Sequence, residues 1–527
     1  MKRSSVLTIL LAIAGTFVPV ICSGQIKHPK VFFDTIKAVP MQNLLIKNVT
    51  IITVNGKNEI IENGSIVIEG NMIKDIGPAN EIASKYRIEN EIDGQGMIAM
   101  PGLINNHVHT ITSLYKGTMV GFGFEKTAGE DMSLAYRATP EIMLAASRLA
   151  AAEMLLSGTT MANVATDAIT FEVSSQTAEA LGQAGMKAFV QTAIADILGP
   201  TDYDADSQLA EAGKLLREYH GKFDERIRVS LGPATDMTTS LKTMRHLADL
   251  AMREDLVVHM HIFPRWPTGI FSLLIRGRTP IGLLKSGKLL NNRLIAVHFL
   301  AAKKRDIKKI AKAGTSVVHC PSVWMNAAIG PKHWLPIKSL YKAGVNITLG
   351  TDSYGGWLEG SDMFTEMRNC ILMNNFLYGA GSLKPADILR MATINGAKAL
   401  RLENETGSLE IGKRADIILL KLDSLLSQPS SDIPAMIVYG ASGRDVQTTL
   451  IDGQIVMHDR VILTLDGQKV LADAAKARDE LYHLGSWDMK QGKAIPPATH
   501  WLERSPNKKL AKWGTRWVNL KQKFGKK

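Results

Sequence analysis

Cysteine is scarce in this chain. Cys22, Cys320 and Cys370 are the only three in 527 residues, and three cysteines exclude a disulfide scaffold. Internal repeats and low-complexity tracts are lacking, and no nucleic-acid-binding motif occurs, so nucleic acid is not an expected partner. Long uncharged apolar runs are lacking beyond the first 24 residues, so the mature chain is expected to be soluble. Acid is in deficit: 50 Asp and Glu stand against 62 Lys and Arg, a formal net charge of +12. Hydrophobic residues at 45% and charged residues at 21% lie close to globular averages, which excludes wholesale disorder.

The excess positive charge sits at the two ends. Lys2 and Arg3 precede an apolar run over 6–20, and Cys22-Ser23-Gly24 supplies small residues before Gln25. This is the layout of a secretory signal peptide over 1–24. The run falls short of the roughly 20 residues a membrane span needs. The protein is therefore expected to be exported, periplasmic or secreted, and cleavage lowers the net charge by two. At the other end, Arg504 to Lys527 holds nine Lys or Arg and no Asp or Glu. Leu510, Trp513, Trp517, Leu520 and Phe524 fall there at helical spacing. Such a helix docks its apolar face on the protein body or lies peripherally on an anionic membrane. Docking is the favoured expectation.

Between the ends the texture changes twice. Residues 42–100 are β-rich, with turn signals at Asn55-Gly56 and Asn63-Gly64. The same texture returns over 403–460, so one composite β-sandwich from both ends of the chain is expected. Over 101–402, apolar strand-like runs alternate with amphipathic helical ones. Strands are expected at 98–105, 159–164, 188–192, 227–231, 256–262, 294–298, 316–319 and 345–350. Repeated β then α argues for an α/β fold with a parallel sheet. Eight such units close a TIM-type (β/α)8 barrel, in which functional groups lie at the carboxyl ends of the strands. Residues 461–527 are left as a basic extension.

Histidine carries the chemistry. His107-Val108-His109 ends a strand, and alternate residues of a strand share a face, so both imidazoles can reach one metal ion. The spacing alone is weak, because His259-Met260-His261 repeats it. Position makes it stronger. His261, His298 and Asp352 also fall at or near the ends of expected strands, and a barrel gathers all five residues at one mouth. Imidazoles with a carboxylate suit one divalent ion, zinc or ferrous iron.

With these motifs in place, the chain resembles the amidohydrolase superfamily, in the branch of cytosine deaminases, adenosine and S-adenosylhomocysteine deaminases and triazine hydrolases. The resemblance rests on Pro101 through His109, His261, His298 and Leu349-Gly350-Thr351-Asp352. It is extended by 391–400 and 407–417, and covers about 42–457. It implies one metal held by His107, His109, His261 and Asp352. It further implies that Asp352 moves the proton of the attacking water and that His298 orients that water or polarises the bond. Binuclear relatives use a carboxylated lysine, and 189–196 and 229–235 hold none at such a position.

The resemblance fails at two substrate-facing places. Deaminases of the branch carry a glutamate where this chain has Pro264, and many relatives carry a histidine where it has Ala234. The expected reaction is therefore hydrolysis of a non-peptide amide, cyclic amide or similar C–N bond of a small molecule. Deamination of an aminated heterocycle and an inactive small-molecule-binding member of the fold are the alternatives. His319, Cys320, Ser322 and Asn326 follow the seventh strand, where the resemblance puts substrate contacts, and His319 and Asn326 are the candidates taken. Arg265 is a candidate for an anionic substrate. Monomer and oligomer are both compatible with this plan.

Overall fold

The computed structural model describes residues 43–197, 204–264, 269–352, 361–423, 425, 427–490, 493–504, 511–512 and 515–516. The segment 1–24, Arg265 and the tail residues Leu510, Trp513, Trp517, Leu520 and Phe524 lie outside them.

Eight short parallel strands form the centre: β1 (Leu103–Val108), β2 (Thr159–Val164), β3 (Lys187–Val190), β4 (Ile227–Val229), β5 (Val258–Ile262), β6 (Leu294–His298), β7 (Ser316–His319) and β8 (Ile347–Leu349). They are almost wholly buried, which is why they read as continuous apolar runs without alternation. β1 to β4 pair in parallel, as do β5 to β8. Parallel bridges from Leu231 to Val258 and from Val108 to Asp352 join the two halves and close the barrel. Helices cover the outside. Pro140–Leu156, for example, begins with Thr139 accepting from Ile142 N and Pro140 in the first turn, where a missing N–H is harmless.

The expected strand at 98–105 is two strands. Met97–Pro101 belongs to an outer sheet and β1 to the barrel. The sequence is apolar across both, so the pattern hides the break at Gly102. A Cβ there would meet Thr160 Oγ1 at 2.2 Å, so only glycine lets the chain cross from one sheet to the other.

Among the described residues the outer sheet has nine strands. Its segments from the two ends of the chain meet where Met97–Pro101 pairs antiparallel with Ile417–Lys421. Leu44, Ile46, Ile51, Ile66, Ile417 and Leu450 share a core of their own within it. At its junction with the barrel, the Lys187 ammonium lies 2.8 and 2.7 Å from the Asp416 carboxylate oxygens and 2.7 Å from Asp452. Arg226 and Arg414 also reach Asp452.

Residues beyond the outer sheet return to the barrel. Helix Gly467–Leu484 starts at Asp466, which accepts from Gln468 N and Lys469 N. It buries Val470, Ala474, Ala477 and Leu481, a one-sided stripe, against Pro140–Leu156. The Tyr482 hydroxyl lies 2.7 Å from Thr118 Oγ1, and its ring stacks on Trp487. Arg504, itself partly buried, reaches the buried Glu130 at 2.5 Å. Among the described residues, no helix is long and apolar enough to cross a membrane.

Candidate metal centre

His107 lies near the end of β1 and His109 just beyond it, His261 lies near the end of β5, His298 ends β6, and Asp352 follows β8. Barrel closure brings them together. Asp352 N donates to His107 O at 2.8 Å, and His109 N to Asp352 O at 3.4 Å. Gly350 makes this approach feasible, since a Cβ there would meet His107 N at 2.7 Å. Below it, Asn105 Nδ2 donates to Thr351 Oγ1 at 2.8 Å and Thr351 N donates to Asn105 Oδ1 at 3.1 Å. Asn106 Nδ2 bonds Thr348 Oγ1 at 2.9 Å. These side chains stitch β1 to β8.

Three overlapping groups have their ligand atoms within 4.8 Å of one another: His107 with His261 and His298, His107 with His109 and Asp352, and His298 with Cys320 and Asp352. Asp352 Oδ1 lies 3.4 Å from Nε2 of both His107 and His109, and Oδ2 lies 3.4 Å from His298 Nε2. The far side of each ring is also held. His261 Nδ1 lies 3.1 Å from Ala234 O. A carbonyl only accepts, so Nδ1 carries the proton and Nε2 keeps its lone pair. His109 Nδ1 meets Asp167 Oδ2 at 2.5 Å, which turns Nε2 inward in the same way. His107 Nδ1 faces His259 Nε2 at 3.0 Å. Such outer partners orient metal-binding imidazoles. On His298 the outer partner is different: Trp324 Nε1 donates to Nδ1 at 3.0 Å, and Phe263 stacks on the ring at 5.2 Å.

The electrostatics suit a cation. Burial, then neighbouring imidazoles, hold the His107 and His259 pKa values well below normal, and burial with His109 lowers His261. Burial also holds His298 well down, against the pull of Asp352. Neutral imidazole is the ligating form. His109 is opposed by burial but raised to about 9 by Asp167 and then Asp352. Burial, then Asp352 and Glu366, push the Cys320 thiol well up, so it stays protonated beside the cluster. His298, Asp352 and Asp167 all adopt positive φ, at 72°, 59° and 56°, a conformation that non-glycine residues rarely hold without a local reason. Three imidazole nitrogens and a carboxylate are a donor set that fits zinc.

The remaining sequence candidates fall elsewhere. His319 ends β7, where burial pushes its pKa down to about 3 and its Nδ1 has no hydrogen-bond partner. It has no ring contact with the cluster among the described residues. Asn326 is half-buried, and its amide is used on Ser322 O, one turn back in its own helix. Arg265 is not described, but Pro264 is, and it is buried. Sequence reading passed over Asp167, Trp324 and Phe263. Only Asp167, three residues beyond β2, carried a positional signal.

A closed parallel barrel with histidines and an aspartate at its mouth defines a metal-dependent hydrolase of the TIM-barrel type. The chain belongs to the amidohydrolase family, whose sequence profile matches residues 98–456. It is 31% identical over 438 residues to a 5-methylthioadenosine/S-adenosylhomocysteine deaminase of Pelotomaculum thermopropionicum, covering 83% of this chain and 98% of that protein. The crystal structure of an adenosine deaminase from Xanthomonas campestris with bound zinc superposes with a TM-score of 0.78 at 27% identity, over 84% of this chain and 98% of that one. An atrazine chlorohydrolase from Arthrobacter aurescens complexed with zinc shares the fold, with a TM-score of 0.72 at 21% identity over 82% of this chain and all of the other. The chain is a hydrolase of carbon–nitrogen bonds other than peptide bonds, with a divalent metal, zinc, as its cofactor.

Proposed function

We propose that the chain deaminates an aminated nitrogen heterocycle of the adenosine type. This reverses the order in which the sequence ranked the two reactions. The kinship with nucleoside deaminases over nearly their whole length supports it. The observation that carries the chemistry is the convergence of His107, His109, His261, His298 and Asp352.

His107, His109, His261 and Asp352 would hold the ion. When bound, such an ion acidifies a water and so makes a nucleophile available near neutral pH. Asp352 accepts that water's proton at its carboxylate and passes it toward the leaving amine. His298, beside Asp352 Oδ2, holds the attacking oxygen in line. Pro264 has no proton to give, so within the cluster Asp352, once it has taken the water's proton, is the group left to protonate the ring nitrogen. Pro264 also favours the second reading, hydrolysis of an amide or cyclic amide, in which no ring nitrogen needs a proton.

A panel of 6-aminopurine nucleosides, other aminated heterocycles, cyclic amides and N-acyl amino acids separates the two. The highest kcat/KM is expected on an aminated ring, with ammonia released. Highest turnover on an amide supports the second reading instead. We also propose that 1–24 exports the chain, supported by Lys2, Arg3 and the apolar run at 6–20. Fractionation should find the full chain outside the cytoplasm and a chain lacking 1–24 within it.

A further inference from the structure

One contact at the centre breaks the pattern of the others. His109 and His261 present outer nitrogens to oxygen acceptors, a carboxylate and a carbonyl. In the singly protonated, ligating form their outer nitrogens therefore carry the proton and their inner nitrogens keep the lone pair. His298 presents its outer nitrogen to a donor. Trp324 Nε1 stands 3.0 Å from His298 Nδ1, and an indole N–H cannot accept. Nδ1 must then keep its lone pair, and the ring proton sits on Nε2. The same contact excludes the doubly protonated ring, which has no lone pair for the indole.

The ring has no easy alternative. Rotated by 180°, it would set a C–H against the indole N–H and another against Asp352, losing both polar contacts. Phe263 lies nearly parallel to it, 20° between planes and 5.2 Å away. Trp324 meets it edge-on at 90° and 4.8 Å. Trp324 itself is buried and sits within the short helix Pro321–Asn326 that follows β7.

We propose that Trp324 is a positioning residue that sets the tautomer of His298, so that Nε2 is a hydrogen-bond donor at the reaction centre and is barred from ligating the ion. His298 Nε2–H points toward Asp352 Oδ2, 3.4 Å away, where the attacking oxygen and the departing group must be held. His109 and His261 on one side and His298 on the other are thus sorted by what stands behind them. The catalytic consequence rests on the hydrolytic reading above; the tautomer does not.

The test is 15N NMR of metal-free protein labelled at histidine, with His298 assigned by comparison with His298→Gln. The expected spectrum shows an unprotonated Nδ1 and a protonated Nε2 on His298. Trp324→Phe, which keeps the aromatic edge and removes the donor, should give mixed or inverted tautomers. Its kcat should fall about tenfold with KM little changed, a fraction of the effect of a general acid–base group. Trp324→His, with Nε2–H in reach of the same nitrogen, should recover part of the loss. A wild-type His298 protonated on Nδ1 overturns the proposal, as does Trp324→Phe with an unchanged tautomer. The expected tautomers in a protein that hydrolyses nothing on the panel would uphold the proposal and refute the proposed function.

Discussion

Glu366 lies wholly buried behind the metal centre, with one oxygen accepting from Ser322 N at 3.3 Å and the other without a partner. Burial raises its pKa from 4.5 to about 8. Folding thus favours the protonated carboxyl, and this contribution is full below about pH 4.5 and lost as pH rises through about 8. Glu366→Gln keeps the acceptor and cannot ionise. In metal-free protein its melting temperature should match wild type at pH 4.5 and exceed it at pH 9; equal curves at pH 9 contradict the assignment. Lys187 is the opposite case, a buried cation with two carboxylate partners. Lys187→Met leaves Asp416 and Asp452 short of charge and should cost about 3 kcal/mol in urea unfolding. The five cluster residues were legible in the sequence because histidine and aspartate at strand ends are chemically specific. Asp167 and Trp324 were not, because their partners His109 and His298 lie 58 and 26 residues away and only folding pairs them.

The decisive element contact is the seam between β1 and β8. It sets His107 and His109 against Asp352, and Asn105 closes it from below. Asn105→Ala leaves Thr351 N and Oγ1 short of partners, a loss of roughly 1–3 kcal/mol. The variant should melt lower and surrender zinc to a chelator faster than wild type; unchanged zinc retention removes the seam from the account. The strands themselves were readable from their buried apolar runs, with ends moved by a few residues. The division at Gly102 was not, because steric contact with Thr160 leaves no trace in hydrophobicity. A second element contact ties the C-terminal region to the loop after β1. Arg504 pairs with Glu130 in helix Phe124–Ala135, and Arg137 donates to Arg504 O at 2.7 Å. Arg504→Ala leaves a buried carboxylate unpaired and should lower stability by about 3 kcal/mol, seen as a downward shift of the thermal midpoint.

At the scale of the whole molecule, the two ends of the chain build one sheet, and the segment up to Arg504 folds back on the barrel beyond the family match that ends at 456. Composition alone could show that the chain is globular. The alternation of strands and helices showed the barrel, and strand ends showed the centre. The choice of reaction was the least legible, because one proline at 264 argued one way and the kinship of the whole chain argues the other. Zinc content and ammonia release, measured together on wild type and Asp352→Asn with a 6-aminopurine nucleoside, test the central claim most directly. The account predicts one zinc per wild-type chain and stoichiometric ammonia. It predicts turnover lower in Asp352→Asn by on the order of 10³-fold. Ammonia release that is equal in the two proteins, or that persists in wild type stripped of metal, contradicts it.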